Sequence, residues 1–142
     1  MFWNSADNAK TTKVGAPYGT SERYLLQAAL SYISSEYHAS VGGLFRPISD
    51  EVRSYLLAKV ATKLEFLEKE FIGNKQFLVG NGLTVADAYL YICLSWSPYL
   101  KLDLDAYPHV SAYFKRISEL PNVKAAHARI AENPTSVLPK ND

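Results

Sequence analysis

A small set of side chains in this sequence could do chemistry, and each also has an ordinary structural explanation. His38 can donate a hydrogen bond to a carboxylate or a thiolate near neutral pH, or water and backbone groups can satisfy it near a helix end. Trp96 offers a large apolar face and one N–H donor, and its alternative role is core packing. Cys93 lies between Ile92 and Leu94, where burial would raise its pKa and leave the thiol inert.

The remaining polar residues predict no further site. Asp103 and Asp105 are close in sequence, but two acids alone are too few ligands for a metal, so we expect no metal site. His109 and His127 are expected on helix surfaces. Cys93 is the only cysteine, which excludes an intramolecular disulfide and a cysteine-based zinc site.

Length, composition and charge narrow the class of protein. The 142 residues suffice for one domain, and the 48% hydrophobic and 20% charged residues are ordinary for a globular protein. The net charge of +1 lacks the basic excess of nucleic-acid binders. No apolar run of about 18 residues occurs, and Met1-Phe2-Trp3-Asn4 has no secretory-signal features. We expect a cytoplasmic protein without a nucleic-acid or membrane partner.

Apolar residues at helical spacing predict two long helices in the first half of the chain. The first begins near Thr20 or Ser21, either of which can cap it, and ends at Gly42-Gly43. The second follows Ser49, its N-cap, and runs for about 22 residues to Gly73-Asn74. Its apolar stripe consists of Val52, Leu56, Val60, Leu64, Leu67 and Phe71.

A third helix is expected to open at a capping box. Thr84 is its N-cap and Asp87 completes the box, although Asp reaches back to the cap N–H less far than the usual Glu. The helix runs through Trp96 and is apolar nearly all round, which is typical of a buried central helix. Pro98 should end or kink it.

Two shorter helices complete the predicted fold. The first begins at Pro108 and ends at Pro121, and Asn122 can cap the second, whose apolar residues include Ile130. No segment shows convincing strand alternation. We therefore predict an all-α fold, a bundle of about five helices.

The capping-box motif resembles a known signature. Phe77-Leu78-Val79-Gly80, followed after two residues by Leu83-Thr84-Val85-Ala86-Asp87-Ala88, is similar to the signature of the glutathione S-transferase C-terminal helical domain. In that family the capping box opens the central helix and the Asp is a folding determinant. The stretches Ser35-Glu36-Tyr37-His38, Leu44-Phe45-Arg46-Pro47 and Lys101-Leu102-Asp103-Leu104, together with Trp96, look most like the bacterial beta class. The resemblance covers about residues 4–132.

The resemblance implies a function and a site. The family conjugates glutathione to hydrophobic electrophiles, a detoxification reaction, with glutathione as co-substrate and no metal. By resemblance His38 would contact glutathione, while Phe45 and Trp96 would line the electrophile pocket. Two positions depart from the family's pattern: Ala39 stands where a lysine is common, and Ser31 where an asparagine is often found.

The resemblance also suggests a domain division. Residues 1–19 would be a lead-in and linker, a remnant of the last helix of a thioredoxin-like domain that supplies the thiol-activating group in the family. Residues 20–132 would be the helical domain, and residues 133–142 a flexible tail. Without the thioredoxin-like domain we expect little activity and weak or absent glutathione binding. The alternative is a non-catalytic assembly module of the same fold.

The resemblance implies partners as well. Family dimers pack the first two helices of this domain across a two-fold axis, so we expect a homodimer through these helices. A thioredoxin-like domain or another protein is a further possible partner of the same helical faces.

Overall fold

The computed structural model describes residues 15–132, which form five long helices, one single-turn helix and no β-strand. The all-α prediction is therefore confirmed for these residues. Helix α1 comprises an α segment, a π segment and a further α turn (Ser21–Tyr32, Ile33–His38, Ala39–Gly42), followed by a 3₁₀ turn (Gly43–Phe45). Helix α2 is Asp50–Phe66, extended by a π segment (Leu67–Phe71). The later helices are α3 (Val85–Ser95), α4 (Ser97–Leu100), α5 (Pro108–Ser118) and α6 (Pro121–Glu132), with a 3₁₀ turn (Leu104–Ala106) before α5.

Local side-chain caps begin the first two helices. The Thr20 hydroxyl accepts the backbone N–H of Arg23 at 3.2 Å, and the Ser49 hydroxyl accepts that of Val52 at 3.3 Å. Both caps satisfy an amide that has no partner inside the helix. The predicted starts of α1 and α2 are confirmed.

The start of α6 was predicted wrongly. Helix α6 begins at Pro121, so Asn122 lies in its first turn and does not cap it. Proline fits this position because its fixed φ suits a helix and the missing N–H would have had no helical partner. The Lys124 N–H donates to the carbonyl of Leu120 at 3.0 Å, which closes the first turn.

Helix α3 is the centre of the bundle. Ala86, Leu90 and Leu94 are fully buried, and α3 contacts the first α segment and the π segment of α1 as well as α5. Its burial is less complete than the sequence suggested, because Ile92 is 44% exposed. The helix ends at Ser95, and a new turn containing Pro98 begins at Ser97, as the proline predicted.

Asp87 holds the amino-terminal end of α3. Its carboxylate is fully buried and accepts four hydrogen bonds. The donors are the Thr84 N–H and hydroxyl and the Leu78 N–H, each at 3.0 Å, and the Tyr113 hydroxyl at 2.6 Å. The shorter Asp side chain therefore does reach back to the cap N–H. These bonds connect α3 to the preceding loop and to α5, and they satisfy a charge that burial would otherwise penalise.

The π segment of α1 was not predicted. It spans Ile33–His38, and its wider i→i+5 turns shift the direction in which the last turns of α1 present their side chains. Such insertions are rare in helices and often occur at functional sites. Glu36 in this segment pairs with Lys63 of α2 at 2.5 Å, and that hydrogen bond, with the lysine charge, lowers the pKa of Glu36.

Helix α6 lies at the periphery and buries none of its residues. Its polar link to the bundle is a hydrogen bond between His127 Nε2 and the Tyr91 hydroxyl of α3, at 2.8 Å. The Tyr91 ring in turn stacks on Phe114 of α5, with ring centroids 5.0 Å apart. None of the helices within residues 15–132 combines the length and the apolar character needed to cross a bilayer.

Candidate functional site

His38 lies at the end of the π segment of α1, where it meets α3. Its Nδ1 atom is 2.5 Å from the hydroxyl of Tyr89, and the two rings meet edge to face at a centroid distance of 5.6 Å. When the Tyr89 hydroxyl donates to Nδ1, the neutral imidazole carries its proton on Nε2. This contact holds the imidazole ring in one orientation and leaves Nε2 as the ring nitrogen that is not bonded to Tyr89.

The structure brings the three predicted substrate-binding residues together. Trp96, the residue that directly follows α3 as its C-cap, packs against His38 with ring centroids 5.3 Å apart. Phe45, from the 3₁₀ turn after α1, packs edge-on against Trp96 at 5.6 Å and remains 54% exposed. We call His38, Phe45, Tyr89 and Trp96 the His38 cluster. Aromatic rings that stay partly exposed can receive a flat apolar ligand.

Tyr89 is the member of the His38 cluster that the sequence analysis missed. It lies in α3 seven residues before Trp96, a spacing of nearly two helical turns that puts both rings on one side of the helix. That spacing could have identified Tyr89 as a neighbour of Trp96. The contact with His38 could not have been inferred from spacing, because it joins residues 51 positions apart.

A cleft opens beside the His38 cluster. It has a volume of about 520 Å³ and is lined by Ser34, His38, Ala39, Gly42, Gly43 and Arg46. Four of these six residues have small side chains or none, so a ligand can approach the backbone closely. A Cβ atom added to Gly42 would come within 3.9 Å of the His38 ring. At Ala39, where a lysine is common in the family that the sequence resembles, the cleft has a methyl group and no charge.

A larger cavity lies elsewhere and contains none of the predicted site residues. It has a volume of about 730 Å³ between the start of α1, the end of α2 and the loop before α3. Its aromatic lining includes Tyr32, whose ring lies 4.9 Å from that of Phe66 and 4.8 Å from that of Phe71. Burial, and secondarily the charge of Glu36, raise the pKa of the Tyr32 hydroxyl to about 12. The Tyr32 hydroxyl therefore stays neutral near neutral pH, and the aromatic part of the cavity lining carries no charge.

Cys93 is not available for chemistry in the folded protein. It is 1% exposed, and burial raises the pKa of its thiol to about 12. At neutral pH it is a protonated, buried thiol, as the sequence predicted. In the part of the chain that the structure describes, no three His, Cys, Asp or Glu side chains converge into a metal-binding group.

Comparison with known proteins decides the family. Residues 26–121 match the family described as glutathione S-transferase, C-terminal domain. The chain belongs to this family. The resemblance drawn from the capping-box motif is confirmed, and the helical bundle is a glutathione S-transferase C-terminal domain.

Bacterial transferases are among the relatives of this glutathione S-transferase domain. It is 32% identical over 122 residues to glutathione S-transferase GstA of Escherichia coli O157:H7, covering 85% of this chain and 60% of that protein. A sphingomonad glutathione S-transferase complexed with glutathione superposes with a TM-score of 0.81 at 35% identity, covering 90% of this chain and 64% of that one. A bacterial beta class enzyme from Sphingomonas chungbukensis gives a TM-score of 0.82 at 35% identity, with the same coverage. The chain thus spans less than two thirds of the length of these relatives.

Proposed function

We propose that this chain is the helical half of a cytoplasmic glutathione transferase that conjugates glutathione to hydrophobic electrophiles. In this proposal His38 contacts glutathione, and Phe45 with Trp96 forms the wall that receives the electrophile. The relative that is complexed with glutathione, at 35% identity and a TM-score of 0.81, supports glutathione as the co-substrate.

The convergence of the His38 cluster is the observation that carries this proposal. The end of α1 supplies His38 and the turn after it supplies Phe45, while the end of α3 supplies Trp96. The two elements are far apart in sequence, yet their aromatic rings meet, and one of these rings, that of His38, lines an open cleft. A half-exposed imidazole next to an apolar wall matches the needs of a polar thiol peptide and a flat electrophile.

The helical half alone is proposed to bind glutathione weakly and to catalyse little. Most of the acceleration of such a reaction comes from groups that stabilise the developing charge, and in this family the thioredoxin-like domain supplies them. We assign residues 20–132 to the helical domain, residues 1–19 to the linker and residues 133–142 to a tail. Ala39 further weakens binding because it adds no positive charge beside His38.

A glutathione titration tests this proposal. The wild-type chain should bind reduced glutathione at millimolar strength, near −4 kcal/mol, in calorimetry extended to about 10 mM. His38→Ala should abolish the signal, because it removes the imidazole and its link to Tyr89. The control His109→Ala removes another partly exposed histidine but keeps the backbone N–H that donates to Glu68. Absence of binding to the wild type, or unchanged binding to His38→Ala, contradicts the proposed role.

A homodimer through α1 and α2 is the proposed assembly. Both helices expose large apolar side chains: Tyr24 and Leu25 of α1 are 66% and 62% exposed, and Tyr55 of α2 is 67% exposed. Exposed large apolar side chains favour association, because contact with a partner removes them from water. Sedimentation at micromolar concentrations should report a dimer, and Leu25→Glu should shift it to monomer, whereas Ile130→Glu on α6 should leave it unchanged. A monomeric wild type contradicts this assembly.

A further inference from the structure

We infer that Arg46 makes the cleft beside His38 selective for aromatic electrophiles that carry a carboxylate. This inference rests on the proposed function, because it assigns a ligand class to the proposed electrophile pocket. The aromatic part of the ligand would pack on Phe45 and Trp96, and its carboxylate would bind the Arg46 guanidinium.

The backbone conformation at Arg46 explains how its side chain comes to line the cleft. It directly follows Phe45 and ends the 3₁₀ turn with an extended conformation, φ −87° and ψ 154°. Pro47 explains this conformation, since a residue before proline disfavours the helical region. The chain therefore leaves the helix at Arg46, and the Arg46 and His38 side chains line the same cleft of about 520 Å³.

The Arg46 side chain has no partner of its own within residues 15–132. Its backbone N–H donates to the Gly43 carbonyl at 3.4 Å, but its guanidinium makes no hydrogen bond or ion pair with the described residues. Arg53 and Arg116, by contrast, donate to backbone carbonyls of neighbouring elements. An unpaired guanidinium at a cleft is available to a planar anion, which it can bind through two parallel N–H donors.

The other lining residues favour a single anionic group at Arg46. Arg46 is the one permanently charged side chain among the six that line the cleft, and none of the six is acidic. Ala39 and Gly42 contribute little side-chain volume to the cleft, so an aromatic ring has room between His38 and Arg46. Phe45, the residue before Arg46, is 54% exposed and contacts Trp96 edge-on, so part of its ring stays free for a ligand. A flat ring with a carboxylate on its rim satisfies both features.

Two probes of equal shape test this selectivity. Naphthoate and the naphthamide of the same substitution pattern share the ring and differ in charge, and neither contains a thiol or a leaving group. In NMR titrations of the isotope-labelled chain at neutral pH, naphthoate should bind about fivefold to tenfold more tightly than naphthamide, as expected for one charge-assisted pair near a surface. The largest shifts should fall on Arg46, Phe45 and Trp96.

Variants separate the guanidinium from a general charge effect. Arg46→Gln should remove the preference for naphthoate and leave naphthamide binding unchanged, and Arg46→Lys should restore part of it. Arg129→Gln removes the same charge from the exposed face of α6 and should keep the full preference. Added salt should reduce the preference in the wild type, because the pair is near solvent.

Several results would overturn the inference. Failure of naphthoate to bind the wild type, equal affinity for both probes, a preference that survives Arg46→Gln, or an equal loss in Arg129→Gln each contradicts a role for Arg46. The proposed transferase function fails separately, in the glutathione titration with His38→Ala. Because the probes contain no glutathione, either test can fail while the other succeeds.

Discussion

The two ends of helix α3 differ in burial and in how far their side chains are bonded within the protein. At the amino-terminal end, Asp87 is fully buried and all its hydrogen-bond donors come from the protein. At the carboxyl-terminal end, Trp96 is half-buried and belongs to a cluster whose members His38 and Phe45 face an open cleft or solvent. At the amino-terminal end the hydrogen bonds of the carboxylate are made within the protein. At the carboxyl-terminal end, part of the aromatic surface stays free for a ligand.

This difference separates residues that hold the fold from residues that can serve a ligand. A buried carboxylate that already accepts four hydrogen bonds stabilises the fold. It cannot bind a ligand as well, because its oxygen atoms are enclosed by protein donors. Partly exposed rings contribute less to stability, because part of their surface stays in water. We therefore expect substitutions at the Asp87 end to cost stability, and substitutions at the His38 end to cost binding.

Asp87→Ala tests this difference with the largest expected effect. It leaves the buried Tyr113 hydroxyl and the Leu78 and Thr84 amides without their acceptor, so unfolding free energy should fall by about 3–5 kcal/mol. Tyr113→Phe removes one donor and should cost about 1.5–3 kcal/mol. Urea denaturation measures both.

The effect of Asp87→Ala is to be compared with that of His38→Ala. His38 belongs to α1 and packs against Trp96 at the carboxyl-terminal end of α3. His38 is half-buried, so this substitution should cost less than about 1.5 kcal/mol. If Asp87→Ala destabilises the chain no more than His38→Ala does, the two ends do not differ in the way proposed.

Cys93, one turn before Trp96, gives an intermediate effect that depends on pH. Burial raises the pKa of its thiol from 9.0 to about 12, so the unfolded chain releases this proton at lower pH than the native one. The stabilisation is complete below pH 9 and is lost as pH rises towards 12. Between about pH 8 and pH 10, the wild type should lose roughly 1.4 kcal/mol more stability than Cys93→Ala loses.

Urea denaturation of both proteins at the two pH values measures this difference. Tyrosines with a raised pKa, such as the partly buried Tyr32, are present in both proteins, so their ionisation cancels in the comparison. In the native wild type at neutral pH, a thiol reagent should also react slowly with Cys93, at a rate that follows unfolding. Identical pH dependence in wild type and Cys93→Ala would show that the thiol is not held protonated by burial.

Local signals explain why much of the fold could be predicted from sequence. The caps at Thr20, Ser49 and Thr84 are bonds within four residues of each helix start, so residue type and spacing reveal them. The boundary at Asn122 was missed because Pro121 and Asn122 both suit a helix start, and the choice between them depends on how the chain leaves α5. Competing local signals are settled by tertiary packing.

The site was harder to predict, because its contacts are not local. Resemblance to the family pointed to His38, Phe45 and Trp96, but nothing in their spacing indicates that their rings meet. The π segment that precedes His38 gives no periodic signal strong enough to detect. Tyr89 and Arg46 were passed over since each is a common residue type whose role depends on what the fold places beside it.

Tyr89→Phe gives the smallest expected effect on stability and the sharpest test of the site. It keeps the ring against His38 but removes the hydroxyl that lies 2.5 Å from Nδ1. Stability should change by less than about 1.5 kcal/mol, while glutathione affinity should fall about threefold to tenfold because the imidazole loses the hydrogen bond that orients it. NMR of the imidazole nitrogens should show the loss of this hydrogen bond directly.

Tyr91→Phe is the matched control for this prediction. It deletes the same hydroxyl from the same helix, but that hydroxyl bonds His127 of α6 at 2.8 Å, away from the cleft. It should alter the nitrogen signals of His127 and leave those of His38 and the glutathione affinity unchanged. If Tyr89→Phe also leaves the His38 signals and the affinity unchanged, then the hydroxyl is a packing contact. The ring contacts of His38 with residue 89 and with Trp96 would then suffice to position the imidazole.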